Sequence, residues 1–172
     1  MTVKEISYSA LFVALIATSA MIIVPTPIVP FSLQPLAIFL IAMTLPKRQA
    51  LFTIIAYIIL GLIGFPVFSG GNGGPVMLIK PTFGFIIGFI PMVYLTNHFK
   101  HIKYKGIRIA SCITGILALY LVALPCLFLN LTVIQKIDLS VVTLISNYCL
   151  MFIPTDIISF SLASLIADRL VS

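Results

Sequence analysis

Two ionisable side chains stand where an apolar chain can least accommodate them. Asp156 lies deep in a run of hydrophobic residues, with no basic residue within one or two helical turns. A carboxylate in hydrocarbon costs at least ~2.5–3.5 kcal/mol on insertion scales, so it must face the protein interior or a wet cavity. There it can accept hydrogen bonds from a ligand, or it can cap a helix broken at Pro154. Lys80 stands at the start of another apolar run, just after a glycine-rich loop. Its ammonium can snorkel to a membrane interface, or it can anchor the carboxylate of a ligand. Tyr148, Phe152, Asp156 and Ser159 are spaced by four, four and three residues. On a helix that continues through Pro154 they share one face. A face mixing aromatic and polar groups is suited to lining a small-molecule pocket.

This is the chemistry of recognition rather than of catalysis. The acids are Glu5, Asp138, Asp156 and Asp168, too scattered for a paired-carboxylate or Ser/His/Asp site. His98 and His101 have no cysteine or carboxylate nearby to complete a metal site and read as interfacial residues. Cys112, Cys126 and Cys149 all sit in apolar runs and read as small buried hydrophobes rather than a disulfide framework. The glycine-rich loop lacks the Gly-x4-Gly-Lys-Ser/Thr pattern, and Pro81 follows Lys80, which excludes nucleotide binding by this chain.

Two loops must carry or cover such a site. The first, from Pro25 to Pro35, holds four prolines, Pro25, Pro27, Pro30 and Pro35, and favours a stiff extended path. The second runs from Gly64 to Pro75 and surrounds Asn72 with glycines, which permit tight backbone and close approach to a ligand. A merely flexible connector would be more polar. Phe65, Val67 and Phe68 suggest that this loop folds back onto the protein as a lid.

The composition says what kind of body positions these residues. Of 172 residues, 61% are hydrophobic and 8% charged, against about 25% charged in soluble domains. That excludes an ordinary cytosolic enzyme, a disordered chain and a secreted disulfide scaffold. The expectation is an all-α integral membrane protein, one transmembrane domain over residues 1–172. Six apolar segments can be read, at about 7–24, 32–45, 50–65, 82–99, 107–131 and 139–170. The first reads as a retained span, not a cleaved signal. The second is short and must rely on tilt, thinning or neighbours. Six spans of roughly 20 residues leave no room for a soluble domain, so any energy-coupling machinery must sit on another chain.

Charge fixes the expected orientation. With the N-terminus inside, Lys4, Lys47, Arg48, Lys100, Lys103, Lys105, Arg108 and Arg169 are cytoplasmic, and Lys80 and Lys136 are outside. The positive-inside rule then places both termini in the cytoplasm. The net charge of +6 is explained by topology and anionic lipid headgroups, without nucleic acid. Small residues add packing surfaces. Gly84 and Gly88 suit internal helix contact, and Ala10 and Ala14 suit either internal contact or another subunit.

Four stretches in order then resemble one family. They are Pro30-Phe31-Ser32-Leu33-Gln34, Gly61 through Gly74, Pro81-Thr82-Phe83-Gly84-Phe85, and Ile153-Pro154-Thr155-Asp156. Together they are similar to the BioY family, the biotin-specific S component of energy-coupling factor (ECF) transporters. The resemblance implies a six-helix fold with an outward-facing biotin pocket closed by the first and third loops. It implies no cofactor, with biotin as the transported ligand. It implies partnership with a transmembrane T component, contacted through Ala10 and Ala14, and two cytoplasmic ATPases, in a bacterial cell membrane. It also implies that Asp156 helps bind the ureido ring.

The chemistry agrees: a ureido group offers two N–H donors and a carbonyl, which Asp156 and an amide such as Asn72 can serve. The expected ligand-binding set is Asp156, Asn72, Lys80, Gln34, Tyr148, Ser159 and Phe68. Three positions depart from the family pattern. Ser159 stands where a lysine is common, Lys80 where glycine is usual and Phe85 where tyrosine is usual. Lys80 is the expected substitute partner for the biotin carboxylate. Capture of another vitamin or a biotin precursor stays open on the residues alone, as does a ligand-free membrane scaffold.

Overall fold

The computed structural model describes every residue except 25–30, 105–107, 137–139, 141–142, 144–145, 147–151 and 172. Among the described residues there are six α-helices: α1 Val3–Met21, α2 Gln34–Thr44, α3 Lys47–Leu62, α4 Phe83–Phe99, α5 Ile109–Leu129 and α6 Ile153–Val171. Two short strands, β1 Ile23–Val24 and β2 Phe31–Ser32, pair antiparallel, Ile23 with Ser32 and Val24 with Phe31. A 3-10 turn, Pro75–Ile79, precedes α4, and a π turn, Asn130–Ile134, extends α5. β2 lies within the proline-rich stretch and is extended as its composition favours, whereas Gln34 and Pro35 at the end of that stretch open α2.

The helix boundaries follow local chemistry more closely than hydropathy. α1 starts at Val3 because Thr2 and Glu5 form a capping box: the Glu5 N–H donates to Thr2 Oγ1 at 3.3 Å and the Thr2 N–H to Glu5 Oε2 at 2.8 Å. α3 starts at Lys47 behind Pro46, within the charged residues that hydropathy leaves out. The sixth apolar segment needs a correction. The described helix begins at Ile153, one residue before Pro154, and Phe152 precedes it as a turn. Proline in a first turn forfeits no intrahelical bond, so Pro154 marks a helix start rather than a break.

α2 is the structural centre. It has 11 residues, about 16 Å of helix, too short to span a bilayer core of about 30 Å alone. Every residue from Ala37 to Met43 is buried, packed mainly by α6, α4 and α1. It is apolar all round because protein, not lipid, surrounds it. α4 and α5 form the most extensive helix pair. A Cβ added at Gly84 would lie 2.6 Å from Cys126 Cβ, and one at Gly88 2.9 Å from Leu119 Cδ1. These two glycines are the internal notches that let α4 and α5 approach.

Large apolar side chains also face outward. Leu121 on α5 is 79% exposed, and Leu11, Ile59 and Leu165 on α1, α3 and α6 are exposed as well. An apolar exterior of this extent is matched to lipid, not water. α1, and α5 together with its π turn, are long and apolar enough to cross a membrane.

One end of the bundle gathers the polar ties. Gln49 Nε2 donates to Glu5 O at 2.9 Å, and Asn97 Nδ2 to Ala42 O at 2.6 Å and Leu45 O at 2.9 Å. Lys100 Nζ donates to Leu45 O at 2.8 Å. Arg108 Nη2 and Lys103 Nζ reach Asp168 Oδ1 at 2.7 and 2.8 Å. These bonds bring the start of α1, the α2–α3 and α4–α5 connections and the finish of α6 to the same end. The basic residues expected on one side belong to it, except that Lys105 lies outside the described residues.

Candidate ligand-binding cavity

At the opposite end lies a cavity of about 460 Å³. Its walls come from the β1–β2 hairpin, the glycine-rich loop, the starts of α2, α4 and α6, and the middle of α5. Its volume falls within the range of about 300–1,000 Å³ typical of small-molecule sites.

Asp156 enters from the first turn of α6, where the helix dipole favours a carboxylate. The turn is set by Phe152, whose carbonyl accepts from the Asp156 N–H at 2.9 Å and from Thr155 Oγ1 at 2.7 Å. Asp156 is 4% exposed. Tyr120 OH, from α5, donates to Asp156 Oδ2 at 2.6 Å. Oδ1 has no hydrogen-bond partner among the described residues, so the carboxylate keeps acceptor capacity toward the cavity. Phe85 lies edge-on to both Tyr120 and Phe152, with ring centroids 6.1 and 6.2 Å apart. These rings make an apolar wall beside the acid.

The facing wall is the glycine-rich loop. The Phe68 N–H donates to Asn72 O at 2.9 Å and the Gly71 N–H to Phe68 O at 3.0 Å, closing a tight turn. Gly70 and Gly71 at its tip have φ of 73° and 74°, a region that favours glycine. The Gly70 N–H donates to Ala20 O at 3.2 Å, so the loop is pinned over the end of α1, as the lid expectation requires. Asn72 Nδ2 donates to Ser69 O at 2.6 Å, and Lys80 Nζ donates to Asn72 Oδ1 at 2.7 Å.

A hydrogen-bonded chain joins this loop to the first one. Ser32 Oγ donates to Gln34 Oε1 at 2.9 Å, Gln34 Nε2 donates to Tyr57 OH, and Tyr57 OH donates to Val67 O at 3.0 Å. Gln34 therefore lines the cavity while tying both loops to α3.

Of the expected ligand-binding residues, Asp156, Asn72, Lys80, Gln34 and Ser159 line this one cavity. Tyr148 lies outside the described residues. Phe68 is not in the lining. It is fully buried, edge-on to Tyr57 at 5.4 Å between ring centroids, and it covers Gly61, where an added Cβ would overlap its ring. Its position makes it the anchor of the lid. Ala10 and Ala14 are exposed on α1, away from the cavity. Tyr120, which hydrogen-bonds Asp156, is a lining residue that the expected set lacked. Its signal was present: a phenol in the middle of an apolar helix needs a buried polar partner.

The profile of the BioY family matches residues 1–172. The chain is 35% identical over 170 residues to the "Probable biotin transporter BioY" of Lysinibacillus sphaericus, covering 94% of this chain and 83% of that one. It is 33% identical over 170 residues to the "Biotin transporter BioY" of Thermotoga maritima, covering 97% and 95%. With the "Biotin transporter BioY2" of Lactococcus lactis it shares 44% identity over 99 residues, 57% of this chain and 54% of that protein. The crystal structure of the S-component for biotin from an ECF-type ABC transporter superposes with a TM-score of 0.81 at 29% identity, covering 99% of this chain and 94% of that one. A helical membrane bundle with this cavity, matched to the family along its whole length, the chain belongs to the BioY family.

Proposed function

We propose that this chain is the substrate-capture subunit of an ECF-type importer, taking up biotin from outside a bacterial cell. The observation that carries the reading is Asp156, a buried carboxylate with an uncommitted oxygen facing a ligand-sized cavity. A ureido ring presents two N–H donors to such an acceptor, and its carbonyl can accept from an amide such as that of Asn72. The bicyclic body of biotin is apolar and suits the wall of Phe85, Phe152 and Tyr120. Such a subunit binds and releases its ligand unchanged; it is not an enzyme.

The orientation and partners follow from surfaces outside the cavity. The basic end of the bundle faces the cytoplasm under the positive-inside rule, with both termini there and the cavity toward the outside. Exposed Ala10 and Ala14 form the close-approach surface for a transmembrane T component. Two cytoplasmic ATPases supply the energy. Saturable binding of labelled biotin to the purified chain tests the reading, with unlabelled biotin, riboflavin and thiamine as competitors. Displacement by biotin alone is expected. Preferential displacement by another compound would reassign the ligand, and no saturable binding in detergent or liposomes would overturn the reading.

A further inference from the structure

Three helix N-termini open on the cavity, and those of α6 and α4 treat charge in opposite ways. α6 places its own carboxylate, Asp156, in its first turn. α4 has no acid in its first turn, and Thr82 at its N-cap makes no capping bond. Thr82 and Lys80 beside it both line the cavity. The α4 end therefore carries a helix N-terminus and a cation but no anion.

Lys80 is held in place before its side chain reaches anything. Its N–H donates to Met77 O at 3.0 Å, and its carbonyl accepts from the Phe83 N–H at 3.1 Å. The carbonyl just before it, Ile79 O, accepts from Asn130 Nδ2 at 2.8 Å. Asn130 is buried in the π turn after α5, and its Oδ1 accepts from Gln135 Nε2 at 3.3 Å. The Lys80 ammonium then meets a neutral oxygen, Asn72 Oδ1. Neither Lys80 nor Asp156 takes part in the ion pairs of Asp168 with Lys103 and Arg108. Lys80 and Asp156 thus line one cavity without pairing with each other. Ser159, one turn beyond Asp156, brings a hydroxyl and no charge.

We propose that Lys80 is the specificity-determining residue that reads the ligand's carboxylate at the α4 end of the cavity, with Asn130 as its positioning residue. The inference rests on biotin being the ligand, and it adds where the anionic tail of biotin lies. The ureido donors meet Asp156, and the anionic tail meets Lys80 and the α4 N-terminus. Such a cavity discriminates against a ligand of the same shape with an uncharged tail.

The test compares biotin with biotin amide on the purified wild-type chain and on Lys80→Gln, Lys80→Arg and Asn130→Ala. Wild type is expected to prefer biotin by roughly 10- to 100-fold, the range for a charge-assisted hydrogen bond. Lys80→Gln should remove that preference by weakening biotin, leaving the amide within about twofold. Lys80→Arg should retain most of it, and Asn130→Ala should reduce it by a smaller factor. A wild-type chain that binds both compounds equally overturns the proposal. So does a Lys80→Gln variant that weakens both alike or leaves biotin binding intact. If wild type binds neither compound, the biotin assignment itself fails, and this proposal with it.

Discussion

The two ends of the bundle handle charge differently. At the basic end the chain supplies both halves of its interactions. Asp168 accepts from Lys103 and Arg108, and Arg108 also donates to Lys100 O at 2.9 Å and Ser164 Oγ at 2.8 Å. Lys47 Nζ lies 3.4 Å from the centroid of the Tyr94 ring. At the cavity end the chain supplies one half. Asp156 keeps an oxygen without a partner among the described residues, and Lys80 faces a neutral amide. An incompletely partnered charge in an apolar setting lowers stability, so a chain keeps one where another molecule completes it. Charges at the first end should govern stability, and charges at the second should govern binding.

Asp156→Asn is the strongest way to break that division. Asparagine keeps the size, and its oxygen can still accept from Tyr120. Its amide N–H groups would point at the ureido donors instead of accepting from them. Biotin affinity should fall by about 100-fold or more, near 3 kcal/mol. Removing an underpaired buried charge should leave the melting temperature in detergent level or raise it. Affinity retained within about threefold, or a collapse in stability, would make Asp156 a structural cap.

Gly61→Ala tests the lid with a side chain that never touches the cavity. The new Cβ would occupy the Phe68 ring position, so Phe68 and the turn it anchors must shift. Overpacking of this kind costs about 1–3 kcal/mol. Because Phe68 holds the loop that carries Asn72, biotin should dissociate about tenfold faster, measured by chasing labelled biotin with unlabelled. Unchanged dissociation would detach the lid from ligand retention.

The same contrast explains what could be read from the sequence. Asp156 and Lys80 were legible because charge is so scarce that each exception demands a reason. The glycine-rich loop was legible as a lid because its aromatics contradict a mere linker. Phe68 was misplaced because an aromatic in a lid reads equally well as ligand contact or anchor. Only folding shows that Gly61, seven residues earlier, leaves the space it fills. Tyr120 and the depth of α2 share another cause. Hydropathy reports that a segment is apolar and does not say whether lipid or protein surrounds it. Pro154 was read as a break because an apolar run gives no sign of where one helix starts inside it.

Arg108→Ala addresses the other half of the comparison. Its side chain is 10% exposed and ties the start of α5 to α6 through Ser164 and Asp168, whose side chain is 38% exposed. Breaking a fully buried pair costs roughly 3–5 kcal/mol. The exposure of Asp168 screens this one, so about 1–2 kcal/mol is expected, or a melting temperature lower by about 2–8 °C for a chain of this length. Biotin affinity should be unchanged, since none of these groups lines the cavity. A large affinity loss would mean that the two ends are coupled.

Lys103→Ala should have the smallest effect, and it separates partnering from mere proximity. Lys103 reaches the same Asp168 oxygen as Arg108, at 2.8 Å, but its side chain is 43% exposed. Two cations on one oxygen also make each partly redundant: with Lys103 gone, Asp168 still has Arg108. An exposed pair contributes about 0.2–0.5 kcal/mol, which at this chain length is a melting shift of about 1–2 °C. Raising the salt concentration should shrink even that difference, because exposed charges are screened. If Lys103→Ala destabilised the chain as much as Arg108→Ala, burial would not be what grades these interactions. The contrast between the two ends would then reduce to the number of hydrogen bonds each charge makes, and the case for Lys80 and Asp156 would have to rest on their unfilled acceptor and donor capacity alone.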